Sequence, residues 1–450
     1  MPKKKSSRSS RKATPPRRVI DGLYEAEELL EGGQPADAAR LLEELDRRHQ
    51  GYVPVLEMLA GAYYDAQDMS GYEWACYRLL QVDAFNADAA LALGGAYIEN
   101  FRPALAIRAL EHFLRRWPDD ERAAEARQTL DQLYVGLRSE TEELDLPEDE
   151  ALELAVQNEQ VRLFLEHDRL PQGRQIAEKL LKRYPDFVPA INNLSQIYAQ
   201  QGNPVRAIEL CRRTLTIQPD NVHALSNLVR MLFLSSRPEE AEAVAKQLKT
   251  TQAPAADFWT KKAEALSLLG DYRAVLDLYE LAKNAGALKP PEVNPLFLHL
   301  AAVAHWNQGK VTEARRLWQK ALDLHPGFGL AQQQLDDLKQ HPAQRSGPWS
   351  LPLTAWVTGS SIHELSNTLE KASRRKQDTA MQAAANQFLG KHPELIFLTP
   401  HMLQRGDPLS IDFAINLAGI SLHPDLLGAL DEFIRGQRGS GKQRMMCFKI

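Results

Sequence analysis

The chain has 450 residues, 44% of them hydrophobic and 25% charged, with a formal net charge of -5, the make-up of an ordinary soluble protein. That length is too great for one compact core, so several units or a stacked array are expected. Three scattered cysteines exclude a disulfide framework and a thiolate zinc site, and no apolar run approaches the roughly 18 residues of a membrane span; a reducing, cytoplasmic location is expected.

Residues 1–18 come first in chain order. They hold Lys3, Lys4, Lys5, Arg8, Arg11, Lys12, Arg17 and Arg18 and no acid, in a background of serine and proline. Such a segment buries too little apolar surface to offset the entropy of ordering it, so a disordered basic tail is expected. Clustered cations bind phosphates through counterion release, which makes nucleic acid a candidate partner of this tail. No aromatic residue interleaves the cations, so base stacking is not supported.

Beyond the tail the sequence repeats itself every 34 residues. Leu59 and Leu93, Tyr63 and Tyr97, Leu194 and Leu228, Ala207 and Ala241, and Pro185 and Pro219 all keep that spacing. Gly202, Ser236 and Gly270 continue it. Each unit reads as two helices. In one, Ile191, Leu194, Ile197 and Tyr198 recur three or four apart, which is one face of a helix. Gly202 and Asn203 then make a turn, and Pro204 suits the first position of a second helix. Ala207, Ile208, Cys211 and Leu215 form the inner side of that helix, and Pro219 closes it.

In this pattern the chain resembles the tetratricopeptide repeat family. The unit ending at Pro326 carries the same marks in Ala302, Trp306, Gly309, Ala314, Ala321, Leu322 and Pro326. The resemblance implies an all-α fold, a helical-hairpin solenoid of about eight repeats in two arrays. Three repeats run from about Ile20 to Pro118 and five from about Ala155 to Pro326, each array ending on a polar-faced capping helix. The domain reading is a basic tail over 1–18, a first array with its cap over 19–137, and an acidic linker over 138–150. A second array with its cap follows over 151–340, then a linker over 341–349. A small α-helical C-terminal domain is expected over 350–437, and a mobile basic tail over 438–450, with Cys447 exposed in it.

No phosphate-cradling glycine loop, HExxH or GxSxG is present in the sequence. Single histidines and paired acids fall on helix faces and caps. No cofactor, metal or catalytic residue is expected, and the chain reads as a non-enzymatic scaffold or adaptor for other proteins or peptides. Two alternatives come from other classes: a regulator or enzyme active in the C-terminal helices with the repeats as docking arm, and a nucleic-acid-associated protein acting through its basic tails. No sequence feature sets an oligomeric state.

The family resemblance implies that the first helix of each repeat lines the ligand-binding face. In the second array this places Asn158, Arg162, Asn192, Asn193, Gln196, His223, Asn227, Arg230, Lys261 and Glu264 there. Asn193 and Asn227 lie one repeat apart, and amides donate and accept at once, which suits gripping a peptide backbone. Arg162, Arg230 and Lys261 favour an acidic or polar peptide. The first array offers Tyr24, Glu27, Glu31, Met58, Tyr64, Asp65, Ile98 and Glu99, an apolar face with acidic edges that suits a basic, partly apolar segment. The basic tail is opposite in charge to this face and to the acidic linker, so a contact between them is a further expectation.

Overall fold

A computed structural model describes residues 16–141, 146–252, 256–289, 293–374 and 378–450. The described residues are helical almost throughout, with no strand longer than an isolated bridge between Leu351 and Gly406. They form two compact units, up to Gln160 and from Val161 onward.

The first unit opens with three hairpins. These are α1 (Arg17–Glu31) with α2 (Pro35–Arg48), α3 (Val53–Asp65) with α4 (Met69–Val82), and α5 (Ala87–Glu99) with α6 (Pro103–Arg116). Helix α7 (Ala123–Thr141) packs on α6 as the expected cap. Helix α8 (Glu148–Glu166) follows, and the unit boundary falls inside it.

That boundary corrects the expected division at 138–150. The reason is local: the Glu159 carboxylate accepts from the backbone N–H groups of Ala104 and Leu105 at 3.2 and 2.8 Å. It thereby caps the orphan donors and positive end of α6. Arg108 adds an ion pair to Glu153 at 3.6 Å. The early part of α8 therefore belongs with the first unit. Of the expected linker, residues 142–145 lie outside the described residues.

In the second unit α8 pairs with α9 (Leu170–Arg183). The hairpins that follow are α10 (Val188–Gln200) with α11 (Pro204–Ile217) and α12 (Val222–Leu234) with α13 (Pro238–Thr250). Then come α14 (Ala256–Leu269) with α15 (Tyr272–Asn284) and α16 (Pro295–Asn307) with α17 (Val311–Leu324). Helix α18 (Gly329–Lys339) packs on α17 as the second cap. Among the described residues the hairpins thus number eight.

The turn inside each hairpin imposes one backbone conformation. Gly33, Gln67 and Phe101 in the first unit all have positive φ, as do Asp168, Gly202, Ser236 and Gly270 in the second, each a repeat apart. Glycine adopts this region without penalty, whereas Gln67 and Phe101 are held there at a cost of roughly 1–2 kcal/mol. Between the paired helices small residues set the distance. Ala207 and Ala314 are fully buried, and leucine at either would overpack the contact by about 1–3 kcal/mol. Hydrogen exchange of A207L should speed up in α10–α13 and leave the first unit unchanged, because each repeat leans mainly on its neighbours.

The C-terminal segment holds α19 (Gly359–Ser373), α20 (Asp378–Lys391), α21 (Glu394–Arg405), α22 (Pro408–Ser421), α23 (Pro424–Arg435) and α24 (Gly441–Cys447). A separate domain joined by a linker over 341–349 is not what the structure contains. Its apolar core is continuous with that of the repeats, from Ile208 to Cys447. Phe233 of α12 packs edge-on against Phe397 at 5.3 Å and against His401 at 5.0 Å. The Arg405 guanidinium stands 5.6 Å from the Phe233 ring and 5.8 Å from that of Trp356. It also occupies the space a Cβ on Gly270 would need, so at a φ of +77° a side chain there would be strained and would have to displace Arg405.

The 341–349 stretch is itself built in. Trp349 is buried, and the Asp337 carboxylate accepts from the N–H groups of Ser346 and Gly347 at 2.8 and 3.2 Å. The expected mobile tail over 438–450 is corrected too: Ser440 and Gln443 form a capping box that starts α24. The buried Gln443 amide donates to Pro408 and Asp412. Cys447 is buried rather than exposed, and burial pushes its thiol up.

Candidate functional site

The first helices of two consecutive repeats, α10 and α12, present matching outward stripes. On α10, Ala199 and Gln200 stand three and four residues after Gln196, and on α12 Arg230 and Met231 stand three and four after Asn227. Residues so spaced share one helix face. Together with Ser195 they line a pocket with about 320 Å³ of unfilled space, part of it open to solvent.

Its chemistry is that of a polar chain. Asn227 is only 6% exposed, and its amide has no hydrogen-bond partner among the described residues. Facing the pocket without a protein partner, it can pair with an incoming donor or acceptor. Arg230 has no ion pair among the described residues and lines the same space; a guanidinium is a match for a carboxylate. Gln196 and Gln200 add two further amides, and Met231 supplies an adaptable apolar wall.

The structure gathers only some of the sequence-derived residues here. Gln196, Asn227 and Arg230 line the pocket. Asn192 does not: its amide donates to Asn221 at 3.1 Å and accepts from the buried Thr214 hydroxyl at 3.2 Å. It ties α10 to the N-cap of α12, where Asn221 accepts from the Ala224 N–H. Asn193 is buried and lies outside the lining of this pocket.

His223 instead pairs with Asp257 at 3.2 Å, and its hydrogen bond holds the Asp257 carboxyl below the ordinary range. Lys261 pairs with Glu264 at 3.0 Å on its own helix. Arg162 has no ion pair among the described residues and is outside the lining, while Asn158 falls in the first unit. Ser195, Ala199, Gln200 and Met231 were not expected in the lining. Their signal was present, since each stands one, three or four residues from a residue already assigned.

In the first unit Tyr24 and Tyr64 are 64% and 54% exposed. Glu27 is exposed beside them in the repeat register, Met58 is half-buried, and Tyr64 leans on Tyr72 with ring centroids 5.3 Å apart. Among the described residues no cluster of His, Cys, Asp or Glu is placed to hold a metal ion. No described helix is long and apolar enough to cross a membrane. Burial pushes the Cys76 and Cys211 thiols up to about 12 and about 11, far from the range of a nucleophile.

Three tetratricopeptide repeat family models match the chain, over residues 158–222, 198–265 and 298–325. The chain carries tetratricopeptide repeats. A curated relative, the TPR repeat-containing protein YvcD of Bacillus subtilis (strain 168), is 25% identical over 210 residues. That match covers 47% of this chain and 42% of the relative, so the chain spans less than half of the relative's length. Among solved structures, a tetratricopeptide repeat protein from Parabacteroides merdae ATCC 43184 is 12% identical with a TM-score of 0.35. That match covers 65% of this chain and 96% of the other. The P58(IPK) TPR domain is 15% identical over 72% of this chain and all of its own, with a TM-score of 0.26. Tetratricopeptide repeats in general mediate contacts between proteins.

Proposed function

We propose that this chain is a non-enzymatic adaptor of the cytoplasm whose first-helix faces hold segments of other proteins. The observation that carries the reading is the α10–α12 pocket, where Asn227 and Arg230, neither with a side-chain partner among the described residues, line one space with two glutamines. An extended acidic or polar peptide fits it, with backbone groups on the amides and a carboxylate on Arg230. The exposed face of α1, α3 and α5, with Tyr24, Glu27, Met58 and Tyr64, suits a basic, partly apolar segment.

The test is selection of binding peptides from a random library displayed against the full chain. Acidic sequences should be enriched, and their affinity should fall about tenfold or more in N227A and in R230Q, since each change removes a charged or buried partner worth about 1.5–3 kcal/mol. Thermal stability should stay nearly constant. A selected peptide indifferent to both substitutions would remove the pocket from the account.

A further inference from the structure

The three first helices of the first unit share an electrostatic anomaly. Helices α1, α3 and α5 end on Glu31, Asp65 and Glu99, one repeat apart, and none has a basic residue in its last turn. All three acids are exposed, and none has an ion-pair or hydrogen-bond partner among the described residues. A helix C-terminus already carries about half a negative charge, so an acid there is misplaced unless a cation sits opposite. In the second unit α8 also ends on an acid, Glu166, whereas the first helices α10, α12 and α14 end on Gln200, Leu234 and Leu269.

The same face is shaped for a chain lying across it. Tyr24, Glu27 and Glu31 form one helical stripe, Met58, Gly61 and Asp65 the next, and Ala92, Gly95 and Glu99 the third. Gly61 and Gly95 have no atom within 4 Å of where a Cβ would stand, so the floor of the face is open. Exposed Tyr64 and Ile98 flank the acids.

We propose that this face seats the segment of the same chain that precedes α1, with Arg11, Arg8 and Lys5 opposite Glu31, Asp65 and Glu99. The inference rests on the reading that first-helix faces hold polypeptide. Three extended residues span about 10 Å, and the acids recur once per repeat along the face. A cation at every third residue of a crossing chain is the register proposed for them. Lys5, Arg8 and Arg11 have that spacing, with serines between them.

The tether is long enough as well. Glu31 lies 14 residues beyond Arg17 in the sequence, or about 21 Å along α1. Arg11 lies 6 residues before Arg17, a reach of about 20–22 Å when extended. Tethering raises the effective concentration of the segment to about the millimolar range, so even weak pairing is occupied. The face is thus closed by its own chain until a stronger basic segment displaces it.

The experiment uses a fluorescein-labelled peptide of residues 1–16, read by anisotropy against the full chain and against a chain beginning at Pro16, which keeps every described element. The shortened chain should bind the peptide at least tenfold more tightly at low salt, and the difference should shrink as salt screens exposed charges. Moving the cations to every second residue of the peptide should weaken binding at least fivefold, as should E31Q/D65N/E99Q in the shortened chain. In the intact chain, trypsin should cut after Arg8 and Arg11 more slowly than in E31Q/D65N/E99Q. Equal affinity for the two chains, indifference to cation spacing, or equal cleavage rates would overturn the proposal. Protection that grows with chain concentration would place the segment on a second copy and overturn the intramolecular seat. None of these outcomes bears on the α10–α12 pocket, whose test uses acidic peptides.

Discussion

Replacing Arg102 with methionine should lower the stability of the first unit by about 3–5 kcal/mol, the usual consequence of leaving one partner of a buried ion pair uncompensated. Arg102 and Glu73 are 1% and 0% exposed, and the guanidinium Nε reaches both carboxylate oxygens at 3.0 Å. Asn100 donates to the same carboxylate at 2.7 Å and to the Met69 carbonyl at 3.0 Å. The pair thus joins the turn before α6 to α4. R102M/E73L removes both charges and should recover most of the loss. Urea unfolding followed by hydrogen exchange in α3–α6 measures it. A loss below about 1 kcal/mol in R102M would mean the carboxylate finds water, and the pair would not be the lock described.

Acidification should act on the second unit through two histidines. His299 is fully buried, its Nδ1 accepting from the Trp318 indole at 3.2 Å, and burial pushes it down to about 4. Phe328, Trp349 and Ser350 face it from the other elements. His401 is also pushed down to about 4, first by burial and then by the neighbouring Arg405 cation. Phe233 and Phe397 cover its ring.

Both groups take up a proton near pH 6.5 when unfolded and only near pH 4 when folded. The unfolded chain therefore binds more protons between these values, and stability rises with pH across that window. The contribution is complete above about 6.5 and is lost as pH falls toward 4, by roughly 2–3 kcal/mol for His299 and by less for the partly exposed His401, where solvent screens the charge. Comparing unfolding at pH 7 and pH 4.5 for the natural chain and H299Q/H401Q isolates this part from the carboxylates. An unchanged pH dependence in the double variant would contradict it.

The sequence made the repeats legible because periodicity is local. Apolar residues at three and four, small residues at Ala207 and Ala314, and glycines at Gly33, Gly202 and Gly270 each report a neighbouring contact. Left-handed turns at Gln67, Phe101 and Asp168 were not legible, since those residues do not ask for that conformation and the stacked hairpins impose it. Asn192 and Asn193 show a second limit. One step along a helix turns a side chain by about 100°, and the partners that fix Asn192 stand 22 and 29 residues away in sequence. The C-terminal segment shows the third. Its 341–349 stretch has the composition of a linker, yet Trp349 and the Asp337 contacts bind it into the core, and only distant residues such as Phe233 and Gly270 explain where it docks.

If the first-helix faces hold other proteins, hydrogen–deuterium exchange of the full chain, with and without an acidic peptide selected on it, should show it. Exchange should slow in α10 and α12, and in N227A/R230Q the same peptide should leave it unchanged. Slowing confined to α19–α24, with α10 and α12 unaffected, would contradict the account.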